Sequence, residues 1–432
     1  MPAATTRRSF LAGSTLAAGG LLLPQPTWRR RPPPRRDKLD LGVIGVGGRG
    51  HDNLNGVGGE NIVALCDVDQ THLDRAATEF PGAKLFVDFR ELLALDDLDA
   101  VVVSTPDHTH APIAAAALRR GLDVYCEKPL AHSVHEVRTL TQLAGQHGAV
   151  TQMGTQIHSW PNYHRVVEHV QSGAVGQVRA VHVFCNGKTW SGGERPAETP
   201  PVPEGLHWDL WLGPAPERPY HPTYHPAGWR RWWDFGGGTV GDMACHYMDL
   251  AFWALDLAHP STVRATGPQL HPETTPAGLQ VDYEFPARGK LPALELSWYD
   301  GNRKPSILAE LGLEKWGNGV LFVGDDGRWL VADYTRLELG PQPKFVGFAP
   351  PPHHVPDSAG HYQEWLEACR TRGRTTCPFA YSGPLAEAVL LGNVSFRLGG
   401  RKLDWDAGNL RARNAPEAAG FLRREYREGW VL

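Results

Sequence analysis

The most constraining feature of this 432-residue chain is a glycine turn set between two short apolar runs. Residues 39–45 (LDLGVIG) end on glycine, Gly45-Val46-Gly47-Gly48-Arg49-Gly50 follows, and residues 61–67 (NIVALCD) end on a carboxylate. Uninterrupted apolar runs of this length read as strands buried on both faces. Gly45 permits a tight turn, Gly47 lets the backbone approach a pyrophosphate, and Gly50 lets the following helix pack closely. The anion then sits at a helix N-terminus. Asp67 lies 22 residues after Gly45, placed to accept hydrogen bonds from an adenosine ribose. Gly45, Gly47, Gly48, Arg49, Gly50 and Asp67 therefore form a dinucleotide-binding set. The charge of Asp67 favours NAD by repelling a 2′-phosphate, while Arg49 could reach such a phosphate and leaves NADP open.

The same alternation continues along the chain. Strand patterns fall at 84–87, 100–104, 123–126 and 149–153, with helical spacing at 70–80, 110–120 and 133–147. This predicts a doubly wound parallel sheet, a Rossmann domain over 39–155. Residues 156–432 are left for a second domain. With 41% hydrophobic and 21% charged residues the chain is globular, not disordered. Its net charge is −4, yet residues 1–38 hold eight Lys or Arg against Asp37 alone, so the body is acidic and suits no nucleic acid. Among six cysteines there is no CxxC pair and no zinc spacing. Only Cys369 and Cys377 are candidates for a bridge, and the fold should not depend on it.

Thr6-Arg7-Arg8-Ser9-Phe10-Leu11 leads into an apolar segment rich in Ala and Gly, then a basic, proline-rich stretch. Residues 1–38 resemble a twin-arginine export signal followed by a linker. The expectation is a periplasmic or otherwise extracytoplasmic protein with transient contact with the twin-arginine export machinery. Anchoring by an uncleaved signal stays open. No apolar run reaches the ~20 residues of a bilayer-spanning helix.

Three further motifs carry a family resemblance: Thr105-Pro106-Asp107-His108-Thr109-His110 after the fourth strand, Glu127-Lys128-Pro129 after the fifth, and residues 236–246 (GGGTVGDMACH) with Asp249. In this order the chain resembles the Gfo/Idh/MocA oxidoreductases, closest to exported members acting on sugars or polyols. The resemblance implies a Rossmann domain followed by an α+β domain with an open, mainly antiparallel sheet, commonly assembled as a homo-oligomer. It places Thr105, Pro106, His108, Glu127, Lys128 and Gln156 beside the cofactor and gives Lys128 the catalytic position, with Glu127 orienting it and a cis bond before Pro129.

The chemistry can be read beside that resemblance. Oxidising a secondary alcohol with NAD requires a base and a cation near the developing alkoxide. Lys128 supplies the cation. Asp242 and His246, four apart, share one helix face, with Thr239 and Asp242 resembling a capping pair. His246 is the expected base, titrating near neutrality, with Asp242 and Lys128 positioning the hydroxyl. Five tryptophans between 208 and 233 offer either sugar-stacking faces or core packing. Trp160, Trp229, Arg230 and Trp232 are the substrate-side candidates. No metal is expected, because Asp107, His108, His110 and the pair His353 and His354 lack full ligand sets. Three functions remain: net oxidation of a sugar or polyol with a tightly held cofactor, a redox-neutral NAD-dependent glycosidase or epimerase, and a non-catalytic sugar-binding protein.

Overall fold

In the computed structural model, residues 37–187 and 189–432 are described, and the twin-arginine segment lies outside them. Six strands, β1 (Asp40–Ile44), β2 (Asn61–Cys66), β3 (Lys84–Phe86), β4 (Ala100–Val103), β5 (Asp123–Cys126) and β6 (Thr151–Met153), form one sheet in the order 3-2-1-4-5-6. Every pairing is parallel. All residues of β1, β4 and β5 are buried, which is why these strands read as apolar runs without alternation. Helices α1 (Arg49–Val57), α2 (Gln70–Glu79), α3 (Phe89–Leu93), α4 (Asp107–Arg119) and α5 (Val134–His147) connect them.

Local chemistry explains these boundaries. Helix α5 opens with a reciprocal capping box between Ser133 and Glu136. Helix α4 starts at Asp107, three residues earlier than its spacing predicts, because Pro106 supplies the extended residue before it. Pro112 in the second turn has no N–H to give the carbonyl of His108, and the Arg424 guanidinium donates to that carbonyl instead.

After α6 (Pro161–Gln171) come β7 (Val178–Cys185), the short α7 (Trp208–Leu212) and the long α8 (Gly238–Ala254). There follow β8 (Thr262–Thr266), β9 (Gln280–Phe285), β10 (Leu294–Asp300), α9 (Ile307–Glu310), β11 (Asn318–Gly324), β12 (Trp329–Ala332) and β13 (Leu337–Gly340). Helices α10 (His361–Thr371) and α11 (Phe379–Arg397), then β14 (Leu403–Asp406) and β15 (Arg411–Ala412), complete the domain. The nine strands run in the order 13-12-11-7-10-9-8-14-15. Only β7 and β10 pair in parallel, so the sheet is open and mainly antiparallel as expected.

The two sheets share their packing. Helix α10 lays Trp365, Leu366, Ala368 and Cys369 against Leu41 and Val43 of β1 and the preceding Leu39, although it lies more than 300 residues downstream. On the other face one continuous core runs from α4 and α5 through α11 into α8 and the second sheet. Trp365 on α10 and Leu385 on α11 are thus fully buried core residues. All six cysteines are buried and unbridged, so Cys369 and Cys377 form no disulfide. No helix among the described residues is long and apolar enough to cross a membrane.

Trp365 is fully buried. Trp365→Ala should lower stability by about 3–5 kcal/mol, read as a shifted urea midpoint. A loss below ~1 kcal/mol would show that α10 is not integral to the first sheet.

Candidate active site

A cavity of about 860 Å³ opens where the carboxyl ends of β1, β2, β4 and β5 face the start of α8. This is the crevice in which doubly wound sheets collect ligands. Its volume lies within the range of small-molecule and cofactor sites. Gly45, Gly47, Gly48, Arg49 and Asp67 line one end. Gly45 adopts φ +83° and Gly48 φ +49°, both in the left-handed region where glycine is favoured. A Cβ at residue 50 would stand 1.9 Å from the carbonyl oxygen of Gly45, so Gly50 serves close helix packing and does not line the cavity. A Cβ at residue 47 would meet the His72 ring at 2.3 Å. Helix α1 begins here with no side-chain cap; the Gly50 and His51 N–H groups turn back to the Gly47 and Gly48 carbonyls, and the positive end of the helix faces the place an anion would take.

The Asp67 carboxylate is fixed by its surroundings. It accepts from the N–H of Val46 at 2.8 Å and of Asp69 at 3.0 Å. His72 stands 3.7 Å away, its pKa raised chiefly by that carboxylate. Arg49 is instead paired with Asp52 at 3.3 Å on the exposed side. An uncapped helix N-terminus, glycines with no room for side chains and a strand-end carboxylate fit a dinucleotide. Bound there, it would supply the hydride acceptor at the far end of the cavity.

At that far end the two domains meet through one carboxylate. Lys128 Nζ donates to Asp242 Oδ1 at 2.6 Å and to the Asp242 carbonyl at 2.7 Å. Trp190 Nε1 donates to Oδ2 at 2.6 Å and Arg230 Nε to Oδ1 at 3.2 Å. Burial alone would raise the carboxyl's pKa. The charges of Lys128 and Arg230, with the hydrogen bonds from Lys128 and Trp190, hold it well below the usual carboxylate range. The peptide bond before Pro129 is cis.

His246 lines the same cavity one helical turn after Asp242. Burial and the Lys128 charge lower its pKa to about 3, so it does not titrate near neutrality as expected and stays a neutral acceptor. Its Nδ1 is buried without a partner.

Other expectations need correction. Glu127 does not reach the Lys128 ammonium. Its carboxylate accepts from Asn53 Nδ2 at 3.0 Å, Gln156 Nε2 at 2.6 Å and the Lys128 backbone N–H at 3.2 Å, and burial raises its pKa. Glu127 thus orients Gln156, which does line the cavity, as do Thr105 and Pro106. His108 does not. It packs against Trp211 and Phe235, with Nε2 2.9 Å from the Trp211 carbonyl, while Asp107 and His110 face the cavity. Thr239 and Asp242 form no capping pair: Gly237 precedes the helix, and Thr239 Oγ1 accepts from the Trp190 N–H at 2.9 Å.

The aromatic segment is chiefly core. Trp232 is 1% exposed and packs on Tyr224 away from the cavity, so it cannot reach a substrate. Trp229 and the 45%-exposed Trp160 do line the cavity. Arg230 lies 4.1 Å above the Trp229 ring and 5.4 Å above Trp190, which fixes its plane.

Sequence reasoning missed Asp107, Trp190, Tyr334 and Trp430 as cavity-lining residues. Asp107 stood in the Thr-Pro-Asp-His motif, but the others carry no local signal. One further cluster, His158, Asp249 and Cys377, has ligand-type atoms within 4.8 Å of one another. All three side chains are buried. Asp249 is already satisfied by His158 Nδ1 at 2.8 Å and Tyr381 Oη at 2.7 Å, so the group reads as an internal network.

Fold and cavity together define a two-domain protein with a dinucleotide-type crevice between a Rossmann sheet and a second, mainly antiparallel sheet domain. Comparison with known proteins agrees. Residues 39–155 match the oxidoreductase-family NAD-binding Rossmann fold of Gfo/Idh/MocA, and residues 164–291 match that family's C-terminal alpha/beta domain. The chain belongs to the Gfo/Idh/MocA oxidoreductases, whose Rossmann domain binds NAD. Inositol 2-dehydrogenase of Rubrobacter xylanophilus is 37% identical over 145 residues, 32% of this chain and 42% of that protein. Inositol 2-dehydrogenase of Corynebacterium glutamicum is 32% identical over 148 residues, 32% of this chain and 43% of that protein. The chain thus matches less than half the length of these relatives. In overall fold it is similar to GenD2 of gentamicin A biosynthesis, solved with NAD (TM-score 0.60, 22% identity, 87% of this chain and 99% of that one). Levoglucosan dehydrogenase, solved with NADH and levoglucosan, is similar at a TM-score of 0.57 and 18% identity, over 85% of this chain and 99% of that one.

Asp107 is 4% exposed, and burial, opposed by Arg230 and Lys128, raises its pKa to about 7. An acid whose pKa is higher folded than unfolded binds more protons when folded. Its charge therefore erodes stability as pH climbs from the unfolded value near 4 through about 7. Asp107→Asn should be more stable than the parent at pH 8, by up to about 4 kcal/mol, and no different near pH 4. Thermal unfolding at the two pH values checks this, and a gap that does not change with pH would contradict it.

Proposed function

We propose that the protein oxidises a secondary hydroxyl of a sugar or polyol by NAD-dependent hydride transfer, with Lys128, Asp242 and His246 as the reacting set. The observation that carries this reading is the 2.6 Å contact between Lys128 Nζ and Asp242 Oδ1 inside the cavity that begins at the glycine turn. Asp242 stays ionised and holds the Lys128 ammonium in place, so the cation is preorganised where alkoxide charge develops. Neutral His246, which lines the same cavity, accepts the hydroxyl proton. Trp229, Arg230 and Trp160 flank the substrate. Inositol 2-dehydrogenases among the relatives and levoglucosan dehydrogenase among the similar folds favour polyhydroxylated rings as substrates.

The test is NAD reduction with myo-inositol, levoglucosan and an aldose panel, alongside mass spectrometry of the native protein for bound nucleotide. Lys128→Ala and His246→Ala should each lower kcat/KM about 10²–10⁴-fold while the protein still binds NADH. Full turnover by either folded variant would overturn the assignment. NADP should bind more weakly than NAD, because Asp67 meets the 2′ position.

The sequence from Thr6 to Leu11 supports export by the twin-arginine route, which carries folded proteins, so the cofactor travels bound. Replacing Arg7 and Arg8 together with Lys should leave the protein in the cytoplasmic fraction. Unchanged export of that double variant would remove this part of the reading. Assembly as a homo-oligomer through the open sheet of the second domain belongs to the same proposal.

A further inference from the structure

Among the described residues, the segment 423–432 has no regular secondary structure, yet side chains tie it to both domains. Arg424 Nε and Tyr426 Oη both donate to Glu136 Oε1, at 2.7 and 2.6 Å. Arg424 also donates to the His108 carbonyl that Pro112 leaves without an intrahelical donor. Arg427 reaches across to α7, donating to the carbonyls of Asp209 at 2.8 Å and Gly213 at 3.1 Å and pairing with the Asp209 carboxylate. Arg119 donates to the Leu432 carbonyl at 2.9 Å.

These anchors put one aromatic side chain into the wall of the cavity. Trp430 lines it together with Val87, Asp88 and Phe89, at the end of β3. Its ring centroid is 5.9 Å from that of Phe89, and the Arg90 guanidinium lies 5.0 Å above it. The position along the cavity matters. A dinucleotide whose pyrophosphate meets the glycine turn and whose ribose meets Asp67 directs its adenine past β2 toward β3. Lys128, Asp242 and His246 lie on the other side of the glycine turn, at the nicotinamide end.

We propose that the segment 423–432 is a strap over the adenosine half of the cofactor site, and that Trp430 is an adenosine-binding residue that slows cofactor release. The inference rests on the dinucleotide reading of the cavity and extends it. A flat indole offers contact area to any base without hydrogen-bond readout. Anchoring the strap to α4, α5 and α7 means that opening it breaks several hydrogen bonds, including those to buried Glu136. A protein that carries its cofactor through export, and works where none can be rebound, is served by slow release.

The experiment uses the whole chain and two probes, NADH and reduced nicotinamide mononucleotide, which lacks the adenosine. Dissociation of each is followed by stopped-flow fluorescence. Trp430→Ala should release NADH about tenfold faster while leaving the mononucleotide unchanged, and Trp430→Phe should restore most of the slow release. Arg427→Ala, which loosens the strap but keeps the indole, should speed NADH release as well. Should Trp430→Ala fail to fold, Arg427→Ala alone decides. Unchanged NADH release in the folded variants, or equal acceleration of both probes, overturns the strap. Failure of the parent protein to bind either probe overturns the cofactor reading itself, a different result.

Discussion

One buried carboxylate joins the two halves of this protein at the place where chemistry is proposed. Asp242 comes from the first turns of the second domain's long helix, and Lys128 from the loop after the fifth strand of the first sheet. Their 2.6 Å contact, closed on the remaining sides by Trp190 and Arg230, leaves the carboxylate no freedom. Such a pair is not a strong net source of stability, since desolvating both charges offsets much of their attraction. Its value is geometric: removing either member would strand the other charge in a buried site. The pair therefore sets the distance between the domains at the cavity and aims the ammonium at it.

The rest of the architecture supports that placement. The first sheet supplies strand ends, and each end carries one element of the site: the glycine turn after β1, Asp67 after β2, Thr105 to Asp107 after β4, and Glu127 with Lys128 after β5. The second sheet contributes little directly. It supports α8, whose Asp242 and His246 are one turn apart and so face one way. Because one core runs from α4 and α5 through α11 to α8, the strand ends and α8 are held as parts of one packed body. Burial holds His246 neutral, raises the pKa of Asp107 to about 7 and pushes that of Glu127 upward.

Much of the fold was legible in the chain because its signals are local. Uninterrupted apolar runs, turn glycines and a carboxylate at the right distance are properties of short segments, and all six strands of the first sheet lie within the ranges where those signals put them. The catalytic candidates were legible for a related reason, since Lys128 follows a strand directly and Asp242 with His246 obey helical spacing. What failed were expectations about partners. His108 and Trp232 sit in recognisable motifs, yet both turn into an aromatic core. Glu127 neighbours Lys128 in sequence but reaches Asn53 and Gln156, because a strand-end residue and its successor point to opposite sides.

By itself, then, the amino-acid order determined the class of fold, the nucleotide turn and the lysine, aspartate and histidine that line one cavity, because each depends on backbone geometry within a few residues. Only the tertiary structure decided which groups face the cavity and in what charge state. Trp190 reaches Asp242 over 52 residues, Asn53 reaches Glu127 over 74, and Arg424 reaches His108 over 316. No periodicity encodes contacts at such separations. They arise when two sheets close on a shared core and bury polar groups that must find whatever partner the packing brings near.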